Sequence, residues 1–425
     1  MIRPPDLRQL EDQLHERVLH ELGDVLASAK DPAEKRKNLA TEVLRMIRET
    51  KRILTPSAQN DLVEAVINTV LGFGPLEPLL RDETVTEIMV NGPDRVFIEQ
   101  GGKIRKADVS FRDEQHVRDI IDRIVGPIGR RIDESAPLVD ARLPDGSRVN
   151  AVIRPLAVSG PSISIRKFAK KAYHLEDLER YGTFSPEMKD FLRAAVKAKL
   201  NVLISGGTGS GKTTTLNALS YEIPLDERIV TVEDSAELQL HHPNMVNLES
   251  KPPNVEGRGA YTIRDLVKNA LRMRPDRIVV GECRAGEALD MLQAMNTGHE
   301  GSLTTAHANS PYDAIGRLET MVLMSGVELP LAAIRRQIAS AIDLIVQQSR
   351  LLDGSRRLTS VTHVTGLEGT EVKMEEIFTF DQRGLDADGK VVGAFRRTGY
   401  HPEEILRRFQ IMNVVFDASA FAAAS

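Results

Sequence analysis

The residues most able to do chemistry lie in one run, Gly206-Gly207-Thr208-Gly209-Ser210-Gly211-Lys212-Thr213, which fits the pattern G-x-x-x-x-G-K-[ST]. Glycines at these spacings let the backbone bend until successive N–H groups converge on phosphate oxygens. A helix opening at Lys212 would aim its positive N-terminal end at the same anion. Lys212 is then the bridge to the β- and γ-phosphates of a nucleoside triphosphate, and Thr213 a ligand for Mg²⁺. The nucleotide-binding stretch expected from this pattern is Gly206 to Thr213, with Thr214 behind it.

Two apolar runs end in acids of the kind that hydrolysis requires. Ile229-Val230-Thr231-Val232 leads into Glu233-Asp234, with Glu237 close behind, and Ile278-Val279-Val280-Gly281 leads into Glu282. In an open parallel sheet, ligands bind at the carboxyl ends of the strands, so both acid sites should lie beside the phosphate loop. Glu282 is assigned to orienting and deprotonating the attacking water, and Glu233 with Asp234 to the metal. Charge developing on the γ-phosphate also calls for cations. The candidates are Arg272, Arg274 and Arg284 around the second acidic strand, and Arg148 and Arg166 earlier in the chain. His299 and His307 bracket the run 299–307. Two histidines without a third ligand make a poor zinc site, and the H-E-x-x-H spacing is absent.

These residues need a scaffold, and the pattern around them supplies one. Leu200 to Ser205, Arg228 to Val232 and Arg277 to Val280 read as buried strands, with a helix after Lys212, which is the alternation of a parallel α/β sheet. Ser185-Pro186 starts a helix that turns Phe191, Leu192, Ala195 and Val196 inward, preceded by a charged, helix-like linker from 171 to Tyr181. Beyond about 343 the chain reads as hairpins, Leu344 to Gln348, Leu358 to Thr365 and Glu371 to Phe380, with turns at Asp353-Gly354 and Gly366; Ala418 to Ser425 reads as a frayed tail. Residues 71–170 predict a mixed α+β domain. Its strands are Glu87 to Asn91, Arg95 to Glu99, Leu138 to Leu143, Arg148 to Arg154 and Ser162 to Phe168, with a helix capped by Asp113. Residues 1–70 predict three helices, with stripes Leu7-Leu10-Leu14-Val18-Leu22-Val25, Leu39-Val43-Ile47 and Leu62-Val66-Val70. Asp31-Pro32 with Glu34 predicts a capping box, and Thr55-Pro56 opens the third helix. The expected domains are therefore 1–70, 71–170 and 171–425.

Composition narrows the function. With 425 residues the chain holds roughly three domains at about 150 residues each. Hydrophobic residues at 41% and charged residues at 28% exclude a disordered or collagen-like chain. A net charge of −5, 4% aromatic residues and no Trp argue against a nucleic-acid groove or base-stacking platform, so no direct nucleic-acid partner is expected. No stretch free of Asp, Glu, Lys and Arg exceeds twelve residues, too short for a membrane span, and the first ten residues carry no secretory pattern. The single Cys283 excludes an internal disulfide. A cytoplasmic location is expected. No N-K-x-D guanine reader occurs, which disfavours a GTPase switch.

The later motifs resemble a known set. Glu233-Asp234 with Glu237, then Arg277-Ile278-Val279-Val280-Gly281-Glu282-Cys283-Arg284, then Thr297-Gly298-His299 through Thr304-Thr305-Ala306-His307-Ala308-Asn309-Ser310, resemble the Asp box, Walker B and His box of the type II/type IV secretion ATPase superfamily. Arg130-Arg131-Ile132-Asp133-Glu134-Ser135-Ala136-Pro137, Asp140 to Arg148, Glu87 to Gly92 and Ile338 to Val346 resemble its TadA/CpaF branch, the motors of tight-adherence pili. The resemblance covers about 70–380. It implies an ATP- and Mg²⁺-dependent homohexameric ring, with a RecA-like C-terminal domain preceded by a smaller, PAS-like α+β domain. It further implies attachment to the inner membrane through integral platform proteins. Under it Arg148 and Arg166 become the phosphate-reaching arginines, Arg317 a cross-subunit candidate, His307 the γ-phosphate sensor and His299 a residue behind it. Cys283 stands where the family usually has an aliphatic residue, and the four-cysteine zinc module of some relatives is missing. The rival readings are a conjugation or type IV secretion motor moving protein or DNA, a non-hydrolysing nucleotide switch, and a nucleic-acid motor.

Overall fold

The computed structural model describes residues 5–28, 31–168, 172–253 and 258–421. The chain forms two compact units, Met1–Lys170 and Lys171–Ser425.

The first unit opens with α1 (Pro5–Ser28), α2 (Pro32–Glu49) and α3 (Pro56–Leu71). Their apolar stripes meet in a core that includes Leu10, Leu14, Val18, Leu39, Val43, Ile47, Leu62 and Val66. Thr55 caps α3 through the Ala58 N–H. Asp31 caps α2 through the Ala33 N–H, one residue short of where a capping box closes, and among the described residues Glu34 returns no bond. After α4 (Glu77–Arg81) come β1 (Val85–Asn91), β2 (Val96–Gln100), β3 (Lys103–Lys106), α5 (Glu114–Val125), β4 (Leu138–Arg142), β5 (Arg148–Val152) and β6 (Ser162–Arg166). The six strands form one antiparallel sheet in the order β3-β2-β1-β6-β5-β4. Alternate residues such as Ile88, Val90, Ile163 and Ile165 pack with Val117, Ile120 and Ile121 of α5. β3 was not expected, because all four of its residues are exposed and carry no period-two signal.

The second unit contains α6 (Leu175–Arg180), α7 (Pro186–Lys197), β7 (Val202–Gly206), α8 (Lys212–Ser220), β8 (Ile229–Glu233), β9 (Met245–Glu249), α9 (Ile263–Ala270), β10 (Arg277–Cys283), α10 (Glu287–Asn296) and β11 (Leu303–Ala306). It continues with α11 (Pro311–Leu323), α12 (Leu331–Ala341), β12 (Leu344–Arg350), β13 (Arg356–Glu368), β14 (Glu371–Leu385), β15 (Val391–Arg397) and α13 (Glu403–Ile411). Its sheet runs β15-β14-β13-β12-β7-β11-β10-β8-β9. The strands from β12 to β9 are parallel, and β13, β14 and β15 extend the sheet antiparallel. Neighbouring residues of one strand serve opposite cores. Val202 and Ile204 pack with Phe191 and Leu216, whereas Leu203 packs with Leu292 and Leu318. Both faces of the parallel part are therefore covered, which is why its strands read as continuous apolar runs.

Two expectations for this unit are corrected, and the helix-like linker expected up to Tyr181 contains a helix. Gly366 lies inside β13, and the turn to β14 is made at Gly369 with φ +63°. The tail from Ala418 forms a 3-10 turn that seats Phe421 among Phe191, Phe378 and Phe416, so residues 418–421 are anchored by aromatic packing; residues 422–425 lie outside the described residues. The charged linker begins at residue 171, outside the described residues, and contains the short helix α6. Among the described residues no single helix is long and apolar enough to cross a membrane.

Candidate active site

Strand order brings the site together. β7 lies between β12 and β11, and β10 and β8 follow beyond β11. All are parallel, with Ala306 opposite both Ser205 and Cys283, and Val280 opposite Val232. The phosphate loop after β7, His307 after β11, Glu282 near the end of β10 and Glu233 at the end of β8 thus line one edge of the sheet, the carboxyl edge where ligands bind.

The loop from Gly206 to Gly211 takes the shape its glycines permit. Gly209 and Gly211 have φ +70° and +99°, a region side chains rarely enter. A side-chain carbon on Gly206 would lie 2.2 Å from the Gln348 carbonyl and 2.6 Å from Ser210 Oγ. α8 starts at Lys212, immediately after the turn. Lys212, only 9% exposed, donates from Nζ to the carbonyls of Gly206 (2.9 Å) and Gly207 (3.1 Å) and stands 3.5 Å from His307 Nδ1. The other ring nitrogen of His307 is 3.4 Å from Thr208 Oγ1. His307 is therefore in contact with both the loop and its lysine. Thr213 and Thr214 sit half-buried in the first turn of α8.

The acids differ from one another. Glu233 is buried at 3% exposure, and its Oε1 accepts the N–H groups of Glu237 (2.8 Å) and Leu238 (3.1 Å). It packs against Gly281, where a side-chain carbon would come within 2.9 Å of Glu233 Cγ. Glu233 consequently pins the loop after β8, a structural duty beside the one expected of it. Asp234 is exposed, accepts a bond from Ser250 Oγ at 2.7 Å and lies 3.7 Å from Arg284. Glu282 Oε2 accepts both Nε (2.9 Å) and Nη2 (2.7 Å) of Arg284, a forked pair that raises the Arg284 pKa further. Glu287 accepts the N–H groups of Arg284 and Ala285 and fixes the backbone after β10. Between these acids Cys283 is buried against Met291 and Thr304, and burial pushes its thiol up to about 12, so it acts as an apolar filler.

A magnesium ion carried on nucleotide phosphates takes only one or two protein oxygens and several waters. The Thr213 hydroxyl would supply one such oxygen and one strand-end carboxylate, Glu233 or Asp234, the other. Among the described residues no group of three or more His, Cys, Asp or Glu forms a cage of its own for a metal.

Several expected residues fall elsewhere. His299 precedes β11, at the amino end of the strand whose carboxyl end carries His307, and its carbonyl accepts from Ser302 Oγ. It is not behind the sensor. Arg272 and Arg274 likewise precede β10, at its amino end, and only Arg284 follows the strand. Arg317 is exposed on α11. Arg148 and Arg166 belong to the first unit, where Arg142, Arg148 and Arg166 pair directly across β4, β5 and β6. Like charges set opposite each other disfavour the sheet, and Glu87 of β1 stands opposite Arg166 at one end of the row. Sequence reasoning missed Arg142, whose signal was its position at the mouth of the Pro144-Asp145-Gly146 turn opposite Arg148. It also missed Gln348 and Arg356 from β12 and β13, which touch the phosphate loop and have no motif to reveal them.

The profile of the family described as type II/IV secretion system protein matches residues 69–390. This chain belongs to that family. A Mycobacterium tuberculosis relative with a provisional conjugal-transfer name is 40% identical over 330 residues, covering 76% of this chain and 93% of its own. The type IV secretion system protein VirB11 of Brucella suis is 34% identical over 311 residues, 67% of this chain and 86% of its own. The solved pilus retraction motor PilT with bound ADP is 20% identical and aligns over 67% of this chain and 80% of its own with a TM-score of 0.50, a likeness of fold. With its phosphate loop, strand-end acids and family, the secretion-system chain is an ATPase.

Proposed function

We propose that this secretion-superfamily ATPase works as a homohexameric motor at the cytoplasmic face of the inner membrane, driving a conjugal-transfer or type IV secretion machine through integral membrane partners. The observation that carries this is the meeting of Lys212, His307 and Glu282 on one sheet edge, in a chain whose relatives at 40% and 34% identity carry conjugal-transfer and type IV secretion names. The strand order β12-β7-β11-β10-β8 around the phosphate loop supports a RecA-like second unit.

In this reading Lys212 leaves the Gly206 and Gly207 carbonyls for the β- and γ-phosphates when ATP binds. His307, already beside Lys212, follows the γ-phosphate. Glu282 exchanges its Arg284 partner for the attacking water and takes its proton. Arg148 and Arg166 are the candidates for the further cations, as the family resemblance implies. Loss of the γ-phosphate then releases Lys212 and His307 together, and that two-state event is the step coupled to movement.

A second reading, a motor for tight-adherence pili, rests on the specific runs Arg130 to Pro137, Asp140 to Arg148 and Ile338 to Val346. One experiment separates the two. A host strain carrying Glu282→Gln in place of the native chain is scored for conjugal or effector transfer and for surface pili. Loss of transfer with pili intact supports secretion, and loss of pili with transfer intact supports the pilus motor. The ring itself is tested by native mass with a non-hydrolysed ATP analogue. Six copies of the 47.0 kDa chain predict about 282 kDa, and a particle that stays monomeric or dimeric contradicts the ring.

A further inference from the structure

The hairpin of β12 and β13 touches the phosphate loop through Arg356 and Gln348. Arg356 Nε donates to the Gly209 carbonyl at 2.9 Å. Its Cδ lies 3.1 Å from where a side-chain carbon on Gly211 would be, so its stem lies along the two glycines with left-handed backbone. On the same side, Gln348 is 2% exposed and accepts from the Thr215 hydroxyl at 2.8 Å, and its amide nitrogen is 3.1 Å from the same point at Gly211. Gly206 and Gln348 are direct partners in the parallel pairing of β7 and β12.

The base of Arg356 is itself fixed. Asp353 accepts from the Ser355 N–H and hydroxyl at 2.9 and 2.6 Å, and its other oxygen accepts the N–H of Val391 at the start of β15 at 3.0 Å. The turn 351–355 is thereby pinned to a third strand.

A loop whose N–H groups converge on an anion turns carbonyls outward. Three of these carbonyls are held by cations: Gly206 and Gly207 by Lys212, and Gly209 by Arg356. Lys212 is the residue the phosphates must take, which strips two of the three supports as nucleotide enters. Arg356 comes from β13 and bonds a carbonyl that Lys212 does not, so the exchange does not require it to leave. We propose that Arg356 is a positioning residue for nucleotide binding, keeping the phosphate loop in its anion-ready shape through the Gly209 carbonyl. This rests on the ATPase reading of the site.

The expected kinetic signature follows from population shift. If the loop visits shapes that cannot bind, apparent affinity falls by the fraction of time spent in them, whereas bound nucleotide restores the active shape. The test is steady-state ATP hydrolysis and equilibrium binding of a non-hydrolysed ATP analogue by the full chain, for the native protein, Arg356→Met and Arg356→Lys. The Met variant keeps the stem beside Gly211 and removes the cation; the Lys variant keeps a cation able to reach the carbonyl. Arg356→Met should raise KM and Kd about fivefold with kcat within about twofold of native, and Arg356→Lys should return both to within about twofold. Unchanged KM and Kd in Arg356→Met would overturn the proposal. So would a fall in kcat at unchanged KM, which would make Arg356 a group acting on the reacting phosphate. A Lys variant no better than Met would also overturn it. Native protein that fails to bind the analogue would overturn this inference and the ATPase reading together.

Discussion

Replacing Glu282 by Gln separates catalysis from binding and from folding more cleanly than any other single change at this site. The substitution keeps shape and leaves an oxygen for Arg284, but removes the basic carboxylate. Glu282 has a side chain 28% exposed and Arg284 one 55% exposed. An ion pair that open to solvent contributes about 0–1 kcal/mol, so the thermal midpoint should move by no more than about 3 °C. The phosphate loop is built by Gly206 to Lys212 and supported from β12 and β13, without Glu282, so affinity for ATP should stay within about threefold. The chemical step is different. A positioned general base contributes about 10²–10⁴ in rate, equivalent to about 3–5 kcal/mol of barrier. Phosphate release at saturating ATP, measured beside binding of a fluorescent ATP analogue, should therefore fall at least about 100-fold with binding preserved. Turnover within about threefold of native would refute the assignment of Glu282 as the base. Loss of nucleotide binding would refute the separation of its role from the loop.

Other outcomes follow from the same geometry. Arg277 is fully buried and bonds Glu227 through Nε (2.7 Å) and Nη2 (2.9 Å), with Nη1 on the Val196 carbonyl (2.6 Å). Arg277→Met leaves Glu227 buried and should cost about 3–5 kcal/mol in urea denaturation, much of it regained in Arg277→Met/Glu227→Leu; a loss below about 1 kcal/mol would contradict the buried pair. His116 is buried with Nε2 unpartnered, and its Nδ1 accepts the Arg112 N–H, which requires a neutral ring; burial lowers its pKa to about 4. The unfolded chain takes up a proton below about 6.5 while the folded ring resists until about 4, so this group's contribution to stability is present at neutral pH and is lost as pH falls through that window. Native protein should lose on the order of 2 kcal/mol more than His116→Gln between pH 7 and 4.5, and equal losses would refute this. Cys283 should resist iodoacetamide at pH 8 in the folded protein and react once unfolded, as intact-mass measurement would read; rapid labelling of the folded chain would contradict its burial.

What could be read in the sequence was local. Thr55 and Asp113 cap their helices because a side-chain oxygen and an N–H three residues on suffice, and neither needs the rest of the chain. The phosphate loop was equally legible, since its glycines and Lys212 define its shape themselves. Edge strands escaped because burial is what writes a pattern into a strand. β3 is exposed along its whole length, and β9 and β15 are half-exposed. Gly366 looked like a turn, yet it sits in β13 at a register shift. In the sequence reading His299 stands behind His307, and their order about β11 separates them instead. His299 comes before the apolar run and His307 after it, so the carboxyl-end rule applied to both would have removed His299 at the start. Gln348 and Arg356 had no such route. They meet the loop through pairing of β12 with β7, which is a property of the whole sheet.

The central claim is that this site hydrolyses ATP through Lys212. The most direct test is phosphate release from ATP and Mg²⁺ by the purified full chain, run beside Lys212→Ala with analogue binding measured on both. The native chain should turn over, and the variant should bind on the order of 100-fold more weakly with turnover abolished, because two charge-assisted phosphate bonds are lost. A Lys212→Ala protein that binds and hydrolyses ATP like the native chain would contradict it.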